Sequence, residues 1–416
     1  MYLTPEENAM MAGQRGEAEA MAMRILADMA RIQGAEKLIR IASAHIDGCL
    51  YHGASGTEFA ERLVSLEARV AVHSSLNVGA LDLQRPDRIR LGEKERDLAR
   101  RQMNAYVAMG CTPTWTCAPY QAGHRPKLGQ DIAWAESNAI VFANSVLGAR
   151  TNRYGDFMDI CCAITGRAPY VGLHLPENRY ATLQIDTSAI PEGLKGEDVF
   201  YAVLGSWLGR VAGDRVAVFS GLPRNVTEDQ LKSLGASAAS SGGVALFHIA
   251  GVTPEAPTLA AATNHQPDCK TIALSHDDII GERDRLSTAA GSQLDVVAVG
   301  SPHFSFKEFK QLLRLLDGRR CVIPLLACTG RHVVAQLEEH GQLRSLQNLG
   351  VEIIVDTCVV VTPILERASG VLMTNSGKFA HYSPSLTGHE VVFGSLADCA
   401  NSAVAGAVRR DESGWS

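Results

Sequence analysis

The later part of the chain alternates in a way that leaves few folds open. A β-branched run at residues 296–300 is followed by an amphipathic stretch, Phe306–Leu316, a second run at 321–326 by another such stretch, Arg331–Glu339, and a third run covers 351–356. Strands separated by helical stretches cannot pair as hairpins, so this order predicts a parallel sheet with helices on its faces, an α/β fold. The earlier part repeats the pattern: a strand near 38–44, a helix from about 57, a strand at 69–74, a charged amphipathic helix at 93–109, a run at 112–117 and a helix at 131–147. Between about 176 and 290 the pattern blurs; 182–186 reads as a strand, and the small-residue stretch 235–243 as a helix amino terminus or a tight loop, with a plain turn favoured. No repeat, low-complexity segment or long linker interrupts the chain, so residues 1–400 read as one multi-lobed catalytic module and 401–416 as a tail.

In a parallel sheet the carboxyl ends of the strands face one crevice, where residues distant in sequence converge. Cys117 closes the run that starts at Thr112, Cys358 closes the one that starts at Val351, and Ser301-Pro302-His303 follows the run at 296–300. Each is followed by turn-forming residues, so the three ends make a candidate site for a metal centre or substrate. The amino terminus is a helix start and not a signal peptide: Thr4 caps, Pro5 suits the first helical position and Glu7 completes a capping box. The ten cysteines are therefore expected to be reduced. Cys161 and Cys162 read as core packing in a buried helix, Cys49, Cys111, Cys269, Cys321 and Cys399 have no ligand-like context, and Cys328 stays open. With 39 basic against 45 acidic side chains the formal charge is −6, which argues against nucleic acid as a partner. No apolar run is long enough to span a bilayer, so the expectation is a cytoplasmic enzyme without membrane contact.

Around the candidate site the chain resembles the aconitase X family, the divergent iron–sulfur branch of the aconitase superfamily. The resemblance rests on Thr116-Cys117-Ala118-Pro119-Tyr120, on Ile132-Ala133-Trp134-Ala135-Glu136-Ser137, and on Phe142-Ala143-Asn144-Ser145-Val146-Leu147-Gly148-Ala149-Arg150-Thr151-Asn152-Arg153. It continues through Gly172-Leu173-His174-Leu175, Gly300-Ser301-Pro302-His303, Asp356-Thr357-Cys358 and Thr374-Asn375-Ser376-Gly377-Lys378. It implies an aconitase-like module of parallel sheets flanked by helices, with Cys117 and Cys358 as ligands of an iron–sulfur cluster. The third family position, a cysteine before Pro-His in members that act on phosphorylated mevalonate, is Ser301 here, and serine is a poor ligand for a soft metal. A 2Fe-2S cluster, or one completed by His303 or Cys328, fits that change better, with 3Fe-4S and 4Fe-4S left open. After Lys378 only about 40 residues remain, too few for the swivelling domain whose serine-bearing loop supplies the family's base. The chain thus looks like a large subunit that works with a small swivel-domain subunit of roughly 130–150 residues.

The same resemblance makes Glu136, Ser137 and Lys378 candidate catalytic residues and Ser55, Gly56, Asn77, Thr151 and Arg153 candidate contacts to a small carboxylate substrate. Arg153 can fork onto a carboxylate with two parallel bonds, as lysine cannot, while Lys378 adds a second charge. Each also has a plain reading: Arg153 caps a helix, Glu136 serves a helix amino terminus, and Lys378 is solvated. Two activities belong to the resembled family, removal of water from cis-3-hydroxy-L-proline to give 1-pyrroline-2-carboxylate and removal of water from mevalonate 5-phosphate. Ser301, together with Arg153-Tyr154-Gly155-Asp156-Phe157 where Tyr154 and Phe157 narrow the crevice, favours the first. A scaffold or metal-binding subunit without catalysis is the reading from another class.

Overall fold

A computed structural model describes residues 1–265 and 269–415 and divides the chain into two compact units, Met1–Leu81 with Leu91–Tyr180, and Asp82–Arg90 with Ala181–Ser416. The fold is mixed α/β with several parallel sheets flanked by helices, as the alternation predicts. Among the described residues no helix is long and apolar enough to cross a membrane.

The first unit opens with helix Pro5–Met11, and Thr4 and Glu7 close the expected capping box. Helix Glu17–Ile32 follows and buries Met23, Leu26 and Ala30, one stripe at helical spacing, against Met10, Ile41, Ala133 and Cys162. The strand expected at 38–44 is two strands. β1 (Leu38–Arg40) pairs antiparallel with β5 (Arg167–Pro169), whereas β2 (Ser43–Ile46) lies between β3 (His73–Leu76) and β4 (Ala133–Trp134) in a three-stranded parallel sheet. Ile41 and Ala42 make the switch by donating to Gly166 and Asp131 carbonyls instead of to a common partner.

The run at 112–117 is not a strand. Only Thr112 bridges to Ser75, Pro113 has no N–H to offer a ladder, Thr114 Oγ1 adds bonds to the Leu76 N–H and carbonyl beside the backbone ones from Thr112 and Thr116, and Trp115 has a positive φ of 44°. The helix expected at 131–147 begins only at Ser137, because β4 occupies its first part; Ser137–Phe142 is α-helical and continues as a wider turn to Gly148, whose φ of 69° ends it. Helix Met158–Thr165 carries Cys161 and Cys162, both fully buried, into the core.

The second unit holds two parallel sheets. One, in the order β8-β7-β6-β9, comprises β6 (Leu183–Asp186), β7 (Ala217–Ser220), β8 (Phe247–Ile249) and β9 (Lys270–Ala273). The other, in the order β12-β11-β10-β13-β14, comprises β10 (Val296–Phe304), β11 (Leu325–Thr329), β12 (Val351–Ile354), β13 (Gly370–Thr374) and β14 (His389–Phe393). Val297, Val299, Leu325, Ala327, Met373 and Val392 line one face of this sheet, and helix Phe306–Leu316 covers them with Phe309, Leu312 and Leu316.

Three expectations need correction here. β10 does not stop at Gly300 but runs to Phe304; between Val299 and Phe304 it advances five residues while β11 advances two, from Ala327 to Thr329, so Ser301-Pro302-His303 is a bend within a strand. The run at 321–326 is displaced to 325–329, which puts Cys328 on β11 and not past it. The stretch 235–243 is neither a helix start nor a plain turn: 235–241 form the second half of helix Glu228–Ser241, and Gly242 ends it. Its small residues are there for contact: a Cβ on Gly205 of helix Asp198–Ala212 would stand 2.2 Å from the Leu234 carbonyl, and one on Gly209 2.5 Å from that of Ala238. Helix Gly377–Leu386 joins the same layer, since a Cβ on Gly377 would stand 2.3 Å from Ser237 Oγ.

Candidate active site

Each unit presents its own polar strand ends. In the first unit β2 is in register with both neighbours, His45 opposite Ser75 and opposite Trp134. Side chains alternate along a strand, so the residues two positions on, Asp47, Asn77 and Glu136, leave the carboxyl edge on the same side. Asn77 Nδ2 donates to Asp47 Oδ1. Glu136 is the cap of helix Ser137–Phe142, with φ of 70°; its Oε2 accepts from Ala139 N at 2.7 Å and its Oε1 from Ser137 Oγ at 3.4 Å. Burial and then the negative charge of Glu136 push the Asp47 carboxyl up to about 7. Behind it, buried Asp159 accepts from the backbone N–H groups of Asp47 at 2.7 Å and Gly48 at 3.0 Å.

Beneath this edge lies a neutral polar layer. Ser75 Oγ stands 2.8 Å from His45 Nδ1 and 2.7 Å from His124 Nδ1. A hydroxyl has one proton and two lone pairs, so at least one of the two imidazoles must donate its Nδ1–H to the serine. Burial keeps both uncharged, pushing His45 well below the usual histidine range and His124 to about 3.

Cys117, although not at a strand end, is fixed beside this edge. Its carbonyl accepts from Asn138 Nδ2 at 2.9 Å, the same amide donates to Tyr120 Oη at 3.1 Å, and the Tyr120 ring stacks on Phe142 at 3.5 Å. The thiol-bearing loop is thus tied to the start of the helix that Glu136 caps. Ser55 and Gly56 lie in the first turn of helix Ala54–Ser65, where Gly56 packs against Gln102, and Gln102 Nε2 holds the Gly48 carbonyl at 2.7 Å. Thr151 is buried and knits backbone: its Oγ1 accepts from Trp134 N at 3.0 Å and its amide donates to Asn144 Oδ1 at 3.0 Å. Arg153 is exposed on the following loop. The expected narrowing by Tyr154 does not occur, because its ring is in the core and its hydroxyl is 2.7 Å from His174 Nε2; Phe157 is exposed, edge-on to Phe59.

In the second unit the bend Ser301-Pro302-His303 is held at three points. The Ser301 carbonyl accepts from Ser376 Oγ, the His303 carbonyl from Lys232 Nζ at 3.3 Å, and His303 Nε2 stands 3.3 Å from the Thr357 carbonyl, next to Cys358. Lys232 is buried in the Glu228–Ser241 helix between Asp229, 3.0 Å away, and Glu308. Burial favours its neutral form, but the two carboxylates outweigh that and hold it protonated, above the usual lysine range. Asp356, two residues before Cys358, has φ of 65° and is clamped by Arg331 through two bonds of 2.6 Å. Lys378 is half-buried in the first turn of the helix that Ser376 caps. A cavity of about 400 Å³ in this unit, lined by Arg88, Val296, Pro324 and Ile364, lies at the opposite, amino-terminal ends of β10 and β11 and contains none of these residues.

Thiolates are the ligands an iron–sulfur group requires. All ten cysteines are reduced, and Cys117 and Cys358 are each buried. Thr357 Oγ1, adjoining Cys358, is a buried hydroxyl with no partner among the described residues, so polar capacity is left over there. Each thiol has the chemistry such a group requires, whereas Ser301 offers a hard oxygen and His303 already spends Nε2 on a carbonyl.

Fold and strand ends together define a parallel-sheet α/β protein with thiols, carboxylates and amides gathered near its strand ends. Models of the aconitase X first, second and third domains match residues 1–177, 181–284 and 294–405. The chain is 44% identical to the cis-3-hydroxy-L-proline dehydratase of Pseudomonas aeruginosa, over 96% of this chain and 69% of that protein. It is 35% identical to the phosphomevalonate dehydratase large subunit of Methanocaldococcus jannaschii, over 96% of this chain and 99% of that one. The crystal structure of Thermococcus kodakaraensis aconitase X in its holo-form superposes with a TM-score of 0.86 at 35% identity, covering 97% of this chain and 100% of that one. The chain belongs to the aconitase X family.

Two residues of these strand ends escaped the sequence reading. Asp47 had a usable signal, an acid directly after the apolar end of a strand, in Ile46-Asp47-Gly48. Lys232 had none, since a lysine in a helix is ordinarily solvated.

Proposed function

We propose that this chain is the catalytic subunit of an iron–sulfur-dependent dehydratase that removes water from cis-3-hydroxy-L-proline, giving 1-pyrroline-2-carboxylate. The observation that carries this reading is the 44% identity over 96% of the chain to a protein of that name. Ser301, in place of the cysteine expected in the phosphorylated-mevalonate branch, supports it. Dehydration of mevalonate 5-phosphate is the second reading, supported by the near end-to-end match to large subunits at 35% to 38% identity.

In the reading we favour, Cys117 and Cys358 hold the cluster, which supplies a Lewis-acidic iron that makes the substrate hydroxyl a better leaving group. Arg153 receives the carboxylate with a two-pronged bond, and Lys378 adds a positive charge. Glu136 holds its helix start and orients Ser137 toward the edge. The proton at C2 leaves to a group on a small swivel-domain partner, which also excludes water; hydroxide departs from C3, and the resulting enamine tautomerises to the cyclic imine.

The test is a direct comparison of kcat/KM for cis-3-hydroxy-L-proline and mevalonate 5-phosphate, using the iron-reconstituted chain with and without the small partner. Hydroxyproline turnover that requires the partner is expected. A higher kcat/KM for mevalonate 5-phosphate would overturn the substrate assignment, and full activity without the partner would overturn the division of labour.

A further inference from the structure

We propose that the carboxyl edge of the β3-β2-β4 sheet is a receptor for a protonated ring nitrogen, with Asp47 and the Asn77 side-chain carbonyl accepting its two N–H bonds. This rests on the amino-acid reading above and adds what selects that substrate.

The edge carries acceptors, among them one buried oxygen without a donor among the described residues. Asn77 is 2% exposed, and its Nδ2 is committed to Asp47. The planar amide therefore fixes Oδ1 at the same edge, where it has no donor among the described residues. A buried amide oxygen in that state is rare in folded proteins and marks a place where a ligand donor fits. The charge balance points the same way. The carboxylates of Glu136, Asp156 and Asp159 all act on Asp47 in the direction that disfavours its charge, against the Asn77 amide. The histidines of the layer below are uncharged and offset none of this.

A secondary ammonium brings one positive charge for Asp47 and two N–H donors on a single atom, one of them for the Asn77 oxygen. Asp47 is half-buried, so a ligand can reach it. A phosphorylated hydroxy acid carries two anions and no N–H donor, and it would meet this edge as like charge against like charge. The edge would then discriminate between the two substrates of the family by repulsion as well as attraction.

The probes are L-proline and tetrahydrofuran-2-carboxylate, which has the same ring and carboxylate but an oxygen in place of the NH₂⁺ group. Calorimetric titration of the full-length chain should show proline bound at least about tenfold tighter, the smallest ratio expected of one charged hydrogen bond. Asp47→Asn keeps the shape and removes the charge. It should weaken proline by a similar factor and leave tetrahydrofuran-2-carboxylate within about twofold. Equal binding of both probes to the unmodified protein overturns the proposal without any variant having to fold, as does parallel weakening of both in Asp47→Asn. The failures are separable. Turnover of cis-3-hydroxy-L-proline without preference for the ring nitrogen sinks only this inference, whereas neither turnover nor proline binding sinks the substrate reading beneath it.

Discussion

Replacing Lys232 by methionine removes the buried cation that pairs with both Asp229 and Glu308 while nearly preserving side-chain volume. Lys232 is 2% exposed, and its partners are 22% and 18% exposed, so neither carboxylate can simply turn into water. Breaking a buried ion pair from one side costs about 3–5 kcal/mol, because the other charge is left without compensation. The loss should depend on pH with a definite sign. Burial already raises Glu308 from 4.5 to about 7 against the pull of Lys232. Without that lysine its folded-state pKa rises further, so the folded protein takes up a proton more readily than the unfolded chain. Stability is therefore lost as pH rises from about 4.5 through the raised value and regained as pH falls. The assay is native-state hydrogen exchange of the Glu228–Ser241 amides, compared with wild type at pH 8 and pH 5.5. About 1.4 kcal/mol corresponds to each tenfold rate increase, so exchange at pH 8 should quicken at least a hundredfold. Adding Glu308→Gln should recover at least half of the loss. A change under tenfold, a loss independent of pH, or no recovery in the double variant would refute the reasoning.

Other outcomes follow from the same geometry. Gly300→Ala should destabilise by more than about 3 kcal/mol, because the residue sits at φ 90° and the new Cβ would stand 2.2 Å from the Cys328 backbone carbonyl; denaturant midpoints within experimental scatter would contradict this. Cys117→Ala and Cys358→Ala should each abolish bound iron and visible absorbance after anaerobic reconstitution, whereas the Cys161→Ser/Cys162→Ser pair should retain both; unchanged iron in Cys117→Ala removes that ligand from the assignment. Asp47→Asn should gain stability over wild type as pH rises from about 3.8 through about 7, since an acid whose pKa is raised by folding opposes folding once it ionises; a difference that does not change across that range would count against the buried acid cluster.

Much of the second unit was readable in advance. Helices Phe306–Leu316 and Arg331–Glu339 begin and end where their apolar spacing places them, because packing against one sheet face enforces the spacing. The first unit was harder, since side chains there share in holding the backbone. Thr114 does this beside the few backbone bonds of the segment before Cys117, and the pair Asn144 and Thr151 does it for the loop before Arg153. Such bonds leave a segment β-branched or polar without making it a strand. Composition also misled at 235–243, where small residues record how close another helix approaches and not a turn. Of the candidate site, the thiols and Asn77 with Glu136 could be picked out, but Asp47 and Lys232 depend on neighbours far away in sequence.

The glycine-packed layer of the second unit gives the bend in β10 an unusual mechanical character. Ser376, which holds the Ser301 carbonyl, begins a helix seated on Ser237, and Lys232, which holds the His303 carbonyl, lies on the same helix as Ser237. That helix is in turn pressed against Gly205 and Gly209 with no room for a methyl group. Both tethers therefore belong to one stiff plate, and the bend has no hinge of its own. A single added carbon at Gly205, far along the chain from Ser301, would tilt the plate and carry both ends of the bend with it, so the aim of His303 toward the Thr357 carbonyl is set by a helix contact that never touches either residue.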